Sequence, residues 1–208
     1  MSWKILSVLV LAGLAAPVRA QAYSDSFTYP DGTVVPGWTE KRADWVVSAG
    51  RVHSVTVPTP GAAHAIMTKD GFNLRDTVTE ITAYYEGVAN TIQAGGLCVR
   101  ENGAPTHTNL VLCKVQDNST ASMPPGFDIR YVYEYAATGV STASAIAPII
   151  SSARIRFIVV NNQATMLVDN DLNGTWDSTL TRTLTSQLGA GDSGVLAAYL
   201  APACAARG

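Results

Sequence analysis

Beyond residue 22 the sequence carries no convincing helical period, and short runs of β-branched and aromatic residues recur between turn residues instead. These runs predict strands at residues 23–29, 44–48, 51–57, 63–69, 77–86, 94–101, 109–116, 127–136, 153–161, 164–169 and 194–200. Pro30-Asp31-Gly32, Ala49-Gly50, Asn102-Gly103, Pro124-Pro125-Gly126 and Asn161-Asn162 punctuate them. Alternation is clearest in Arg154-Ile155-Arg156-Phe157-Ile158-Val159, where Ile155, Phe157 and Val159 share one side and the arginines the other. One face is expected in the core and one in water. In the same way Phe127, Ile129, Tyr131, Tyr133 and Tyr135 share a side opposite Asp128, Arg130, Val132 and Glu134. The aromatic side is expected to be buried, which would leave Asp128, Arg130 and Glu134 on an open sheet face. So many strands without helices imply an all-β protein with two antiparallel sheets packed face to face.

The first 22 residues follow a different pattern. Met1-Ser2-Trp3-Lys4 precedes an apolar run from Ile5 to Ala16, and Pro17-Val18-Arg19-Ala20-Gln21-Ala22 supplies a boundary of small residues. That is the three-part form of a secretory signal peptide, and the run of about a dozen residues is too short to cross a bilayer. Residues 1–22 are therefore expected to be a leader cleaved after Ala20 or Ala22, with residues 23–208 forming a single secreted domain, extracellular or periplasmic, with no membrane span. Loss of Lys4 and Arg19 makes the formal charge of −2 more negative. No cluster of Lys and Arg is present to neutralise phosphates, which argues against nucleic acid as a partner. Export also permits disulfides, and folding the 94–116 hairpin brings Cys98 towards Cys113, an expected bridge, while Cys204 has no evident partner. Both cysteines read equally well as small buried hydrophobes.

The order of these signals resembles a known family. Asp25-Ser26-Phe27-Thr28-Tyr29-Pro30-Asp31-Gly32, Pro36-Gly37-Trp38 and Trp45-Val46-Val47-Ser48-Ala49-Gly50-Arg51-Val52 are similar to the opening of LamG-like, concanavalin A-like jelly-roll domains of bacterial secreted proteins. The Ile155–Asp169 hairpin and Gly194-Val195-Leu196-Ala197-Ala198-Tyr199 resemble their later strands. The resemblance implies a concanavalin A-like jelly-roll β-sandwich, but motifs of common turn and strand residues do not assign an activity. The chain departs from the family at its end, where Ala203-Cys204-Ala205-Ala206-Arg207-Gly208 replaces an aromatic closing strand that would pair with the first.

Catalytic signatures are missing. Glycoside hydrolases of this fold place paired carboxylates two residues apart on one strand, because one group donates a proton while the other attacks or assists. No strand here offers that, and a nucleophile elbow, a phosphate loop and Cys-x-x-Cys zinc ligands are absent. His53, His64 and His107 are isolated along the sequence. The feature richest in chemistry is Asp169-Asn170-Asp171-Leu172-Asn173-Gly174-Thr175-Trp176-Asp177. It has the oxygen spacing and central glycine of a calcium loop, with Asp169, Asp171, Asn173, Asp177 and the Thr175 carbonyl as candidate ligands. Leu180 stands where such loops carry a bidentate Glu, and an Asx-rich turn uses the same residue types. The expected function is a carbohydrate-binding, lectin-like or adhesive module without catalysis. Its partner would be a glycan or cell-surface polysaccharide, held by Tyr85, Asp128, Arg130, Glu134 and Trp176, with calcium as the cofactor. A polysaccharide hydrolase or lyase on the same fold, or a structural element of a surface assembly, are the competing readings.

Overall fold

A computed structural model of the chain describes residues 22–55, 64–85, 93–102, 109–117, 128–135, 140–146, 152–185, 188–198 and 205–207. Residues 1–21, which hold nearly all of the expected leader, His107, Cys204 and Pro124-Pro125-Gly126 lie outside them. The elements are all strands: β1 (Trp38–Arg42), β2 (Trp45–Ser48), β3 (Arg51–Ser54), β4 (Ala65–Leu74), β5 (Thr77–Tyr84), β6 (Gln93–Glu101) and β7 (Leu110–Asp117), then β8 (Asp128–Tyr135), β9 (Val140–Ile146), β10 (Ser152–Val160), β11 (Gln163–Asp169), β12 (Ser178–Thr183), β13 (Gly191–Ala198) and β14 (Ala205–Arg207). They form two seven-stranded antiparallel sheets, ordered β1-β4-β13-β6-β7-β8-β9 and β12-β11-β10-β5-β14-β3-β2.

Inward-facing residues of both sheets meet in one core that includes Met67, Leu97, Val115 and Val195 from the first sheet and Val52, Ile81, Phe157 and Met166 from the second. The alternation read from β10 holds, since Ala153, Ile155, Phe157 and Val159 are buried and the intervening residues half-buried or exposed. Two-residue turns set the registers. Ala49 and Gly50, with φ of 52° and 67°, join Ser48 to its partner Arg51, and Asn161-Asn162 joins Val160 to Gln163.

Several expectations are corrected. Residues 23–29 are not a strand. The Asp25 side chain caps the Phe27 amide at 2.8 Å and Phe27 takes φ 51°, which breaks extended geometry while its ring enters the core. Four strands were not predicted: β1, β9, β12 and β14. The last answers the departure noted at the chain end, because Ala205–Arg207 inserts between β3 and β5 as three residues of closure.

The expected disulfide does not form. The β6–β7 hairpin exists, but its register pairs Cys98 with Leu112 and Leu97 with Cys113. An offset of one residue sends the thiols to opposite faces of the sheet, Cys113 into the inter-sheet core and Cys98 into a separate cluster with Ile66, Leu110, Leu112 and Leu196. Both are free and buried, and burial pushes both thiols well above their ordinary range. Among the described residues no helix is long and apolar enough to cross a membrane.

Candidate functional site

The β10–β11 hairpin builds the site. Its two-residue turn fixes Arg154 opposite Asp169 and Arg156 opposite Leu167, while β5 on the other side pairs Arg156 with Glu80. Both arginines therefore stand on the outer face of the second sheet, beside the loop that joins β11 to β12.

That loop is organised by its own carboxylates. Asp169 is 1% exposed, and its Oδ2 accepts from the Gly174 amide at 3.1 Å and lies 3.3 Å from Arg154 Nη2. The Asn170 amide donates to Asp177 Oδ2 at 2.8 Å, and the Asp177 amide donates to the Val168 carbonyl at 2.9 Å, which closes the loop at its base. Asp171 accepts from the Asn173 amide at 3.1 Å and from Asn173 Nδ2 at 2.9 Å. The Asn173 Oδ1 in turn accepts from the Thr175 amide at 2.8 Å and from its hydroxyl. Gly174, at φ 93°, supplies the bend that other residues resist.

Three carboxylates converge as a result. Asp169, Asp171 and Asp177 offer oxygen atoms within 4.8 Å of one another. Asp169 Oδ1 is buried and has no hydrogen-bond partner. Convergent like charges and an unsatisfied buried acceptor are both relieved by a cation, and an all-oxygen, carboxylate-rich set suits a hard divalent ion such as calcium. The residues fit that ion. Asn173 differs from its expected place as a ligand, because both ends of its amide are engaged in the loop's own hydrogen bonds.

Trp176 is half-buried at the edge of this cluster. The Arg154 guanidinium carbon lies 4.3 Å and that of Arg156 4.9 Å from its ring centroid. Arg156 Nε also donates to Glu80 at 2.6 Å, and Arg154 Nη2 donates to the Gly174 carbonyl at 3.3 Å. The indole is thus held by two cations that are themselves neutralised by carboxylates.

The remaining predicted ligand residues are not gathered there. Tyr85 is a core residue, 7% exposed, whose hydroxyl donates to the Val115 carbonyl at 3.2 Å. The side of β8 that carries Arg130 and Glu134 also carries Val132, a member of the inter-sheet core. The expected parity is reversed: these residues face the second sheet rather than an open surface. Glu134 is buried because Thr185 satisfies it, its amide at 2.9 Å and its hydroxyl at 3.1 Å. The side chains of Asp128, Tyr131, Tyr133 and Tyr135 lie outside the described residues. Sequence reasoning missed Arg154 and Arg156 as site residues. Counting outward from the Asn161-Asn162 turn sets residue 154 opposite 169, so the signal was present.

The sequence matches no protein-family profile and no curated protein. Solved structures are similar in shape. The carbohydrate-binding module CBM66 from Bacillus subtilis superposes with a TM-score of 0.56 at 14% identity, over 82% of this chain and 92% of that one. The exoplasmic/lumenal domain of VIP36 in its Ca2+/Man3GlcNAc-bound form gives 0.54 at 10% identity, over 83% and 81%. The catalytic domain of an endo-1,3-beta-glucanase (laminarinase) from Thermotoga petrophila gives 0.54 at 10% identity, over 89% and 93%. The chain has the concanavalin A-like jelly-roll fold.

Proposed function

We propose that this chain is an exported glycan-binding module whose recognition surface is the β11–β12 loop together with Trp176, organised by a bound calcium ion. The observation that carries the reading is the junction of three converging carboxylates, an unsatisfied buried Asp169 Oδ1 and a half-buried indole on one rim of the sandwich. A cation there fixes the loop backbone and presents open coordination positions to sugar hydroxyls, while Trp176 offers an apolar ring to a pyranose face. The similar structures include a carbohydrate-binding module and a domain in a Ca2+/Man3GlcNAc-bound form, which supports the same reading.

A glycan array probed in calcium and in chelator tests this. The expected result is calcium-dependent binding to a restricted set of glycans, weakened by at least about tenfold in Trp176→Ala, the loss of one aromatic contact. An array that stays blank in calcium counts against it and favours a structural role in a surface assembly.

The hydrolase reading has one observation of its own. Asp192 and Glu101 are cross-strand partners on β13 and β6. Lys41 Nζ lies 3.1 Å from Asp192 and 4.0 Å from Glu101, so the pair is bound up in a salt bridge. Sugar release from a polysaccharide panel, abolished in Asp192→Asn, would support that reading over simple binding.

A further inference from the structure

A second site lies away from the loop. Residues 22–25 and 27 of the irregular N-terminal segment line one side of a cavity of about 720 Å³. Its lining includes the rings of Phe27, Trp38 and Phe72 and the aliphatic side chains of Ile81, Leu97 and Val195, inward-facing residues of both sheets. That size falls in the range of small-molecule pockets, and a mostly apolar wall is their usual lining.

The polar groups in the wall narrow the choice of ligand. It contains four charged side chains, and each is already engaged. Asp25 accepts from the Tyr23 and Tyr29 hydroxyls, Trp38 Nε1 and the Phe27 amide. Lys69 donates to the Gly37 carbonyl at 2.5 Å and lies over the Tyr23 ring. Asp76 accepts from Arg100 and from the Asn161 amide, and Glu80 accepts from Arg156. Two hydroxyls are different. Ser193 and Thr77 are 6% and 7% exposed, and neither Ser193 Oγ nor Thr77 Oγ1 has a hydrogen-bond partner. Ser193 stands in the irregular step between Asp192 and Gly194 on β13, which turns it out of the regular ladder.

We propose that this cavity is a binding site for a neutral, largely apolar small molecule that carries a single hydrogen-bonding head group, such as an aliphatic alcohol or ester. The apolar body lies against Ile81, Leu97 and Val195, and the head meets the Ser193 and Thr77 hydroxyls, which act as donor or acceptor. A charged head is disfavoured because the wall charges are already hydrogen-bonded or ion-paired and a new charge would be desolvated against a mostly apolar wall. A saccharide is disfavoured because its many hydroxyls would meet only two buried unengaged groups in a mostly apolar wall.

Fluorescence titration of the purified chain with N-phenyl-1-naphthylamine, a neutral apolar probe, tests the site. Saturable binding is expected, with displacement by 1-dodecanol and displacement by dodecanoate at least about tenfold weaker. Val195→Phe, which fills the cavity, is expected to weaken probe binding by about tenfold or more, while Trp176→Ala leaves it unchanged. Should Val195→Phe fail to fold, the Ser193→Ala, Thr77→Val double variant is expected to erase the preference for 1-dodecanol over dodecane and keep apolar binding. Lack of saturable binding, equal displacement by dodecanoate, or a double variant that keeps the alcohol preference would overturn the proposal.

Discussion

Asp25 and Asp169 each organise a stretch of chain that has no regular secondary structure, and they do so with opposite balances of donors and acceptors. Around Asp25 one carboxylate receives four donors, from the Tyr23 and Tyr29 hydroxyls, Trp38 Nε1 and the Phe27 amide. Desolvation acts to raise its pKa, but the bonds from Tyr23, Phe27, Trp38 and Tyr29 outweigh it and hold the carboxyl below its ordinary value. The charge is fully used in pinning the segment to the sandwich. Around Asp169 three carboxylates meet, the donors are one arginine, backbone amides and the Asn173 side-chain amide, and one buried acceptor is left over. The same residue type is therefore a structural staple where donors are in excess and, in the proposed function, a cation ligand where acceptors are in excess.

The largest expected effect comes from breaking the first centre. Asp25→Ala strands three side-chain donors and one amide at a part-buried site, and it should destabilise the protein by about 2–3 kcal/mol in denaturant unfolding. That loss is expected to be the same with calcium and with chelator, because the staple uses no cation. A calcium-sensitive loss would mean that the two centres are not independent.

A third ionisable group sharpens the contrast, because the fold keeps it uncharged. Burial, with smaller contributions from the Lys114 and Arg42 charges, lowers the His64 pKa from 6.5 to about 3. The unfolded chain then binds a proton at a pH where the folded one does not. The linked stability is thus present above 6.5 and is lost as pH falls towards 3. On descending one unit from 6.5, the loss from this residue should be about 1 kcal/mol. Unfolding curves of the wild type and His64→Gln across that interval check it, and the variant should show the shallower pH slope.

The smallest effect has the most telling sign. Without a cation the three loop carboxylates repel one another, so Asp171→Asn should leave stability in chelator unchanged or raise it by a few tenths of a kcal/mol. In calcium the order reverses. The wild type should gain about 1 kcal/mol, since the ion stands only several-fold above its dissociation constant, and the variant should gain nothing. Parallel changes under both conditions would reduce the loop to a turn.

What could be read from the sequence followed the same division between local and distant partners. The β10 strand was legible because Ile155, Phe157 and Val159 are buried while their neighbours meet water. Three of the four missed strands, β1, β9 and β12, are sheet edges. In β1 no residue is fully buried, and β12 buries only Arg182, so the alternation that reveals a strand is weak there. The polarity of β8 misled because tyrosines suggested core, whereas Val132 marks the inward side and Thr185, far along the chain, satisfies the buried Glu134. The acidic loop was visible because its spacing is local. Its contact with Arg154 came from strand register, which periodicity alone does not report.

The most direct test of the cation centre is a calorimetric titration of calcium into chelator-treated protein. Excess acceptors around Asp169 predict a single site with a dissociation constant of about 0.1 to 1 mM, the range of weak calcium loops, here without a bidentate Glu. The same titration of Asp171→Asn should be flat, and that of Asp25→Asn, if folded, should match the wild type. A wild-type titration without heat of binding, or an Asp171→Asn variant that binds as the wild type does, would contradict the assignment of the β11–β12 loop as a cation-bearing recognition site.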